Sequence, residues 1–248
     1  LEKRNDLSVK SATFLTSLLD FDAAGDLDLF VDEESIDEIE SLMETNGYLD
    51  AEVMSSVFSL LRAKDLIWFF YINNYLFGEK PPDFDILFWN ADSTRLPASA
   101  HSWYLRNMYI ENRLSRPNSL EVCAEKINLK ALRIPTCFVS AKEDHIAPWP
   151  ATYKGTKLLN GTKLFILTDG GHVAGIVNAP DSKAYGHYSR IAYDEGDSEW
   201  LDRSERHDYS WWITWRRWII SHSGIQKPSS CGETASLGDA PGQYVLRK

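Results

Sequence analysis

The sequence contains little cysteine and has a deficit of basic residues. Its 248 residues include three cysteines, Cys123, Cys137 and Cys231, which are too scattered for paired zinc ligands or a disulfide framework. We therefore expect a reducing, cytoplasmic environment and no metal site. Lys and Arg number 26 against 36 Asp and Glu, which gives a net charge of −10 without any basic stripe. This balance argues against a nucleic-acid partner.

A long apolar segment is also missing. The longest uninterrupted apolar run covers residues 66–72, whereas a helix needs roughly 20 such residues to cross a bilayer. We therefore predict no transmembrane segment. The chain begins at Leu1 with neither a methionine nor a signal-like apolar stretch, and we expect it to be a fragment of a longer protein.

The third absence is a nucleophile elbow, the strained strand-to-helix turn whose nucleophile has a glycine two residues before it and two after it. Glycines stand four apart at two places, centred on Val173 and on Ala240. Neither centre is Ser, Cys or Asp. The cysteines have structural explanations, because Cys137 falls inside a predicted strand, Cys123 in a strand or turn, and Cys231 in a polar tail. A nucleophile, if one is used, is therefore expected upstream of Leu1.

The residues that are present predict an α/β protein with a mostly helical insertion. Hydrophobic residues make up 44% and aromatic residues 12% of the chain, enough for one large core. Apolar residues recur at three- and four-residue steps over residues 33–45 and 50–61, which predict amphipathic helices. Residues 64–76, which are apolar around most of the helix surface, and residues 101–114, which are rich in aromatic residues, are also predicted helices. For the helix over 33–45, Asp32 is the expected N-cap and Gly47 the expected stop.

Beyond residue 118 the pattern changes to short apolar, β-branched runs that alternate with a helix. Residues 134–139 and 163–167 are predicted strands, and residues 151–159 a helix between them, a rhythm typical of a parallel sheet. We divide the chain into a core strand (1–19), a helical cap (20–115), an α/β core (116–222) that closes with a helix over 211–220, and a largely disordered tail (223–248).

A carboxylate follows one predicted core strand and a histidine follows the next. Asp144 comes a few residues after the first strand and His172 five residues after the second. The carboxyl ends of parallel strands lie at one edge of a sheet, so these side chains are expected to meet there. An ionised Asp can accept the Nδ1 proton of the histidine, which leaves Nε2 free to act as a base. Taken singly, an Asp in this place is usually a turn or N-cap residue, and a glycine-flanked His is more often structural than catalytic.

Several longer motifs make the sequence similar to a known family. These are TSLLDF (16–21), LRAKDLIW (61–68), NNYL (73–76), FDILFWNADSTRLP (84–97), WYLRN (103–107), EDHIAPW (143–149), GHVAG (171–175) and SWW (210–212). Over most of residues 8–220 the chain resembles the C-terminal portion of class I polyhydroxyalkanoate synthases, which polymerise 3-hydroxyacyl-CoA.

The resemblance implies an α/β-hydrolase core with an inserted helical cap and a Cys–Asp–His triad. Asp144 and His172 match the acid and base positions of the family, and the cysteine belongs upstream. Trp89 and His145 match positions near the active site and are candidate substrate-binding residues, although core packing explains Trp89 equally well. The expected substrate is the CoA thioester itself, with no resident cofactor.

The resemblance also implies partners and leaves other functions open. The expected partners are 3-hydroxyacyl-CoA and the growing polyester chain or granule surface, with a homodimer for the full-length enzyme and a location in the cytoplasm or at polyester granules. One alternative is an esterase or polyester depolymerase on the same fold, which passes the acyl group to water. The other is a non-catalytic dimerising remnant. We expect the 248-residue chain alone to be inactive.

Overall fold

A computed structural model of the protein describes most of the chain. The described residues are 8–22, 24–25, 27, 31–50, 53, 56–57, 59–60, 63–81, 95–228 and 242–243. Trp89, Cys231, half of the predicted helix over 50–61 and most of the predicted tail lie outside them.

A five-stranded sheet forms the centre of the fold. Its strands are β1 (Ala12–Leu15), β4 (Thr136–Ala141), β5 (Lys163–Thr168), β6 (His187–Ile191) and β7 (Glu205–His207), and they lie in the order β1-β4-β5-β6-β7. A separate two-stranded hairpin consists of β2 (Glu121–Val122) and β3 (Glu125–Lys126).

The predicted parallel arrangement is confirmed for one half of the sheet. β1 pairs in parallel with β4, and β4 pairs in parallel with β5. However, β6 and β7 pair antiparallel, and the sequence analysis did not predict these two strands. Their residues are mostly polar or only partly buried, so they carry no continuous apolar run. β6 forms a strand because β5 offers it an open hydrogen-bonding edge, and β7 then pairs with β6.

Helices cover both faces of this sheet. Along β4 the side chains alternate, so Phe138 faces one layer while Cys137 and Val139 face the other. The Phe138 layer is completed by α3 (Trp149–Thr156) and α5 (Asp197–Asp202), and the opposite layer by α6 (Trp211–His222). All six residues of β4 are buried, which agrees with its mostly apolar sequence.

Helices dominate the region predicted to be a cap. The helix α1 (Glu33–Asn46) begins where the Asp32 side chain accepts a hydrogen bond from the Ser35 N–H, and it ends at Gly47, whose φ is 74°. Both caps agree with the sequence analysis. Within the described residues between 20 and 115, β pairing is limited to an isolated bridge between Tyr48 and Pro97.

The other two helical segments differ from the predicted regular helices. The predicted helix over 64–76 contains π-helical turns at Lys64–Trp68 and Tyr71–Leu76. The predicted helix over 101–114 is instead α2 (Ala98–Tyr104) followed by a π-helical segment (Leu105–Ile110), and it stops at Asn112, whose φ is 43°. Further elements are α4 (Ala174–Val177) and 3₁₀ turns at Arg113–Ser115 and Leu129–Ala131.

A buried polar contact joins the two ends of this helical region to the core. Asn112 donates its side-chain N–H to Asp20 at 2.8 Å and accepts the Phe21 N–H at 3.1 Å. The Lys154 ammonium on α3 lies 2.8 Å from the other Asp20 oxygen. The domain bounds, including the passage from core to cap near residue 20, stay a prediction.

Among the described residues, no helix combines the length and apolar character that crossing a membrane requires. The final helix, α6, runs two residues beyond its predicted end at residue 220.

Candidate active site

The first component of the site is a carboxylate in the turn that follows β4. Asp144 Oδ1 accepts the backbone N–H groups of Ile146 at 2.9 Å and Ala147 at 2.8 Å. The Asp144 side chain is fully buried. Because two amides hold Oδ1, the carboxylate has one fixed orientation, with Oδ2 directed away from its own turn.

The second component is the histidine in the loop that follows β5. His172 Nδ1 lies 2.8 Å from Asp144 Oδ2, and the imidazole is 29% exposed. Since the carboxylate accepts, Nδ1 donates, and Nε2 carries the free lone pair. In the part of the chain that the structure describes, no hydrogen bond occupies Nε2. The arrangement presents a base, oriented by a carboxylate, at the protein surface.

The register of the sheet brings these two loops together. Ala141, the last residue of β4, pairs with Thr168, the last residue of β5. Beyond the strands, the Lys142 N–H donates to Thr168 O and the Glu143 N–H to Gly170 O, both at 2.9 Å. These backbone hydrogen bonds connect the two loops. Asp144 lies one residue beyond the connection, and His172 lies two residues beyond it.

Two glycines shape the loop that carries His172. Gly170 has a φ of 86°, a conformation that glycine adopts without steric cost. Gly175 lies in α4, which begins two residues after His172 and packs against the strand ends. A Cβ atom at Gly175 would be 2.6 Å from Asp169 O and 3.3 Å from Ala141 Cβ, so only glycine permits this close approach.

An ion pair connects the same loop to β7, the edge strand of the sheet. Arg206 on β7 lies 2.7 Å from the Asp169 carboxylate, and the Asp169 N–H donates to Gly186 O at 3.0 Å. The sequence analysis missed Arg206, because the pairing depends on the antiparallel strands that it did not predict.

The other candidate residues are less well defined by the structure. His145 directly follows Asp144 and is half-buried, and its role in substrate binding stays a prediction. Trp89 lies outside the described residues, so its role also stays a prediction. In the described part of the chain, no group of three or more His, Cys, Asp or Glu side chains could hold a metal ion.

Neither described cysteine has the environment of a nucleophile. Cys137 is fully buried in the middle of β4, and this burial raises the pKa of its thiol far above the usual range, so it stays protonated. Cys123 is exposed in the turn of the β2–β3 hairpin. The site therefore pairs a carboxylate with an imidazole but has, in the described residues, no thiol suited to react.

Comparison with known proteins gives relatives of one kind, and no family model matches the chain. The poly(3-hydroxyalkanoate) polymerase subunit PhaC of Rhizobium etli is 40% identical over 250 residues, which cover 99% of this chain and 39% of that protein. Poly(3-hydroxyalkanoate) polymerase 2 of Ectopseudomonas oleovorans is 40% identical over 245 residues, with 97% and 43% covered. The PhaC subunit of Cupriavidus necator is 37% identical over 257 residues, with 100% and 44% covered.

These similarities confirm the resemblance that the sequence motifs predict. The chain spans about two fifths of the length of the curated relatives it matches.

Proposed function

We propose that this chain, which is related by sequence to the poly(3-hydroxyalkanoate) polymerases, supplies the acid and base of a Cys–Asp–His triad. The reaction is the polymerisation of 3-hydroxyacyl-CoA with release of CoA. The observation that carries the proposal is the 2.8 Å contact between His172 Nδ1 and Asp144 Oδ2 at the ends of neighbouring parallel strands. The cysteine is contributed by a segment that corresponds to the remaining part of the relatives.

The fold supports an assignment to the α/β-hydrolase class. In that class the nucleophile precedes the acid and the acid precedes the base along the chain. Here Asp144 follows β4, His172 follows β5, and β1 occupies the other side of β4. In residues 1–248 the acid, Asp144, precedes the base, His172, as this order requires. The elbow that carries the cysteine is expected to precede both.

The first half of the proposed mechanism is acylation of the cysteine. His172 Nε2 takes the proton of the thiol, while Asp144 stabilises the imidazolium through Nδ1. A free thiol has a pKa of about 8.5, so the adjacent base increases the reactive thiolate at neutral pH. The thiolate attacks the thioester carbonyl of 3-hydroxyacyl-CoA. The C–S bond to CoA breaks, and CoA leaves with the proton from His172.

The second half transfers the acyl group to a hydroxyl. His172 Nε2 takes the proton of the 3-hydroxyl group of a second unit, whose oxygen attacks the acyl-cysteine. An ester forms, the cysteine leaves as a thiol after it regains the proton, and the polymer is one unit longer. No step needs a cofactor, because the thioester supplies the activated acyl group. The resemblance to the polymerases makes a granule surface in the cytoplasm the expected location and a homodimer the expected assembly of the full-length enzyme.

The test uses the product of the complete reading frame and 3-hydroxybutyryl-CoA. We expect His172→Ala to lower the rate of CoA release by roughly 10²–10⁴-fold, the usual size of general-base catalysis. Asp144→Asn is also expected to be impaired, because an amide cannot stabilise the imidazolium. His222→Ala, at the C-terminal end of α6, is the matched control and keeps the wild-type rate. Near-normal polymer synthesis by His172→Ala would refute the assignment.

The product distinguishes the polymerase from a hydrolase on the same fold. A polymerase converts the acyl units of its substrate into insoluble polyester, whereas an esterase or depolymerase gives free 3-hydroxy acid. The purified 248-residue chain is expected to release no CoA above background. Release by this chain alone would contradict the assignment of the nucleophile to another segment.

A further inference from the structure

The short helix that follows His172 has carbonyl groups that its own turns cannot satisfy. The helix α4 (Ala174–Val177) has four residues, and the last four C=O groups of any α-helix lack partners within it. Two side chains from the start of α6 donate hydrogen bonds to this helix and its C-cap. Trp211 Nε1–H donates to Ile176 O at 3.0 Å, and the Ser210 hydroxyl donates to Asn178 O at 2.7 Å.

Both donors stand on a rigid part of the core. Ser210 is completely buried and Trp211 is 1% exposed. The Trp211 ring packs with Cys137 and Val139 of β4 and with Ile166 of β5. These are the two strands whose ends carry Asp144 and His172. The Ser210–Trp211 pair therefore connects the helix after His172 to the same sheet that positions the carboxylate.

We infer that Ser210 and Trp211 are positioning residues for the His172 imidazole, an inference that rests on the proposed function. A four-residue helix is far too short to be stable by itself, and no side-chain hydrogen bond from the described residues caps its N-terminus. Its orientation depends on outside contacts. A base functions only when it is held within roughly 0.5 Å of its productive position. The two hydrogen bonds hold α4, and α4 holds the loop that keeps Nδ1 on Asp144.

The same helix offers a residue that separates positioning from ordinary core packing. Trp215, one turn after Trp211, also donates its indole N–H, but to Thr13 Oγ1 on β1 at 3.0 Å. It packs against the same layer of the sheet. Replacing either tryptophan with phenylalanine removes one indole N–H and retains an aromatic ring, yet only the Trp211 indole N–H bonds to the helix after His172.

The experiment compares Trp211→Phe with Trp215→Phe in the product of the complete reading frame. For Trp211→Phe we expect kcat for CoA release to fall about three- to tenfold with KM unchanged, the size expected from one net hydrogen bond. The kcat of Trp215→Phe is expected to stay within about twofold of wild type, because the hydrogen bond that it loses goes to β1 and not to the helix after His172. Thermal unfolding of both variants measures how much stability each loses.

A second readout does not require turnover. In protein labelled with ¹⁵N in the histidine rings, the low-field Nδ1 proton of His172 reports its hydrogen bond to Asp144, with His172→Ala providing the assignment. We expect this proton signal to weaken or disappear in Trp211→Phe and to persist in Trp215→Phe. Ser210→Ala, which removes the second donor, is expected to behave like Trp211→Phe and replaces it if Trp211→Phe fails to fold.

The two proposals fail in different ways. If the wild-type protein releases no CoA, the proposed function is wrong, while the proton signals still decide the positioning role. An unchanged His172 signal in both Trp211→Phe and Ser210→Ala would overturn the positioning role, and so would equal losses of signal and kcat in Trp211→Phe and Trp215→Phe.

Discussion

At the scale of single residues, the identity of Gly175 decides how closely the helix after His172 approaches the sheet. A Cβ at this position would meet the Asp169 carbonyl oxygen at 2.6 Å. This atom is part of the backbone and cannot rotate away. Alanine is intrinsically better than glycine in a helix by about 1 kcal/mol, but overpacking a tight contact costs typically about 1–3 kcal/mol. The steric cost is therefore expected to prevail.

We predict that Gly175→Ala lowers the free energy of unfolding and displaces His172 from Asp144. The measurements are chemical denaturation and the rate of CoA release by the product of the complete reading frame. Gly224→Ala is the matched control, because a Cβ at Gly224 meets no atom of the described residues within 4 Å. Wild-type stability together with a wild-type rate in Gly175→Ala would show that α4 can move away without consequence.

At the scale of secondary-structure elements, one arginine joins the helices of the predicted cap. Arg106 lies 2.7 Å from Glu33, 2.6 Å from Asp37 and 2.9 Å from Glu40. These three carboxylates lie along one side of α1, which explains why a single guanidinium can reach them all. Hydrogen bonds from Arg106, and then from Ser102, lower the pKa of Glu40 to about 2.

We predict that Arg106→Lys raises the pKa of Glu40 toward its usual value of 4.5, because an ammonium group lacks the planar fork that contacts several carboxylates at once. In the folded wild-type protein the pKa of Glu40 is lowered. The contribution of Glu40 to stability is therefore present above pH 4.5 and is lost as the pH falls toward 2. NMR titration of the Glu40 carboxylate measures the pKa directly.

The matched control for this prediction is Arg113→Lys. Arg113 pairs with the neighbouring Glu111 at 2.6 Å and does not contact α1 among the described hydrogen bonds. The control is expected to leave the Glu40 titration unchanged. An equal shift of the Glu40 pKa in both variants would mean that the shift does not depend on the contact between Arg106 and Glu40.

At the scale of the whole molecule, a buried histidine joins the antiparallel edge of the sheet to the last helix. His187 on β6 is completely buried. Its Nδ1 donates to Tyr209 O at 2.9 Å, and its Nε2 accepts from the Thr214 hydroxyl at 2.8 Å. The ring stacks on His207 of β7 with 4.6 Å between centroids. These contacts suit the neutral imidazole.

Burial lowers the pKa of His187 from 6.5 to about 4. The hydrogen bond to the Tyr209 carbonyl and the charge of Asp169 oppose this shift. The charges of His207 and Arg206 lower the pKa further. The unfolded chain therefore binds a proton at a higher pH than the folded protein does. The contribution of His187 to stability is complete above pH 6.5 and is lost as the pH falls toward about 4. The full effect is about 3 kcal/mol, because one pKa unit corresponds to about 1.4 kcal/mol.

We predict that His187→Gln flattens the loss of stability between pH 6.5 and about 4, even though the variant is less stable than wild type at neutral pH. Urea denaturation at a series of pH values measures the slope. His222→Gln, at the C-terminal end of α6, serves as the histidine control and keeps the wild-type slope. If His187→Gln retains the full slope, another group causes the acid sensitivity.

Local sequence signals predicted much of this fold. The β-branched runs around 134–139 and 163–167 became β4 and β5, and Asp32 and Gly47 cap α1 as expected. Hydrophobic periodicity did not reveal β6, β7 or the π-helical turns. The polar residues of β6 and β7 become strands through pairing, and a π-helical turn differs from an α-helical turn by one residue in its hydrogen bonds.

The sequence by itself determined which residues form the buried strands and that Asp144 and His172 follow two of them. It could do so because β propensity and turn chemistry are local properties. Only the tertiary structure decided that Asp144 and His172, 28 residues apart, meet at 2.8 Å, and that Trp211 contacts Ile176, 35 residues before it. The physical reason is that strand register and helix packing, not chain neighbours, set these distances.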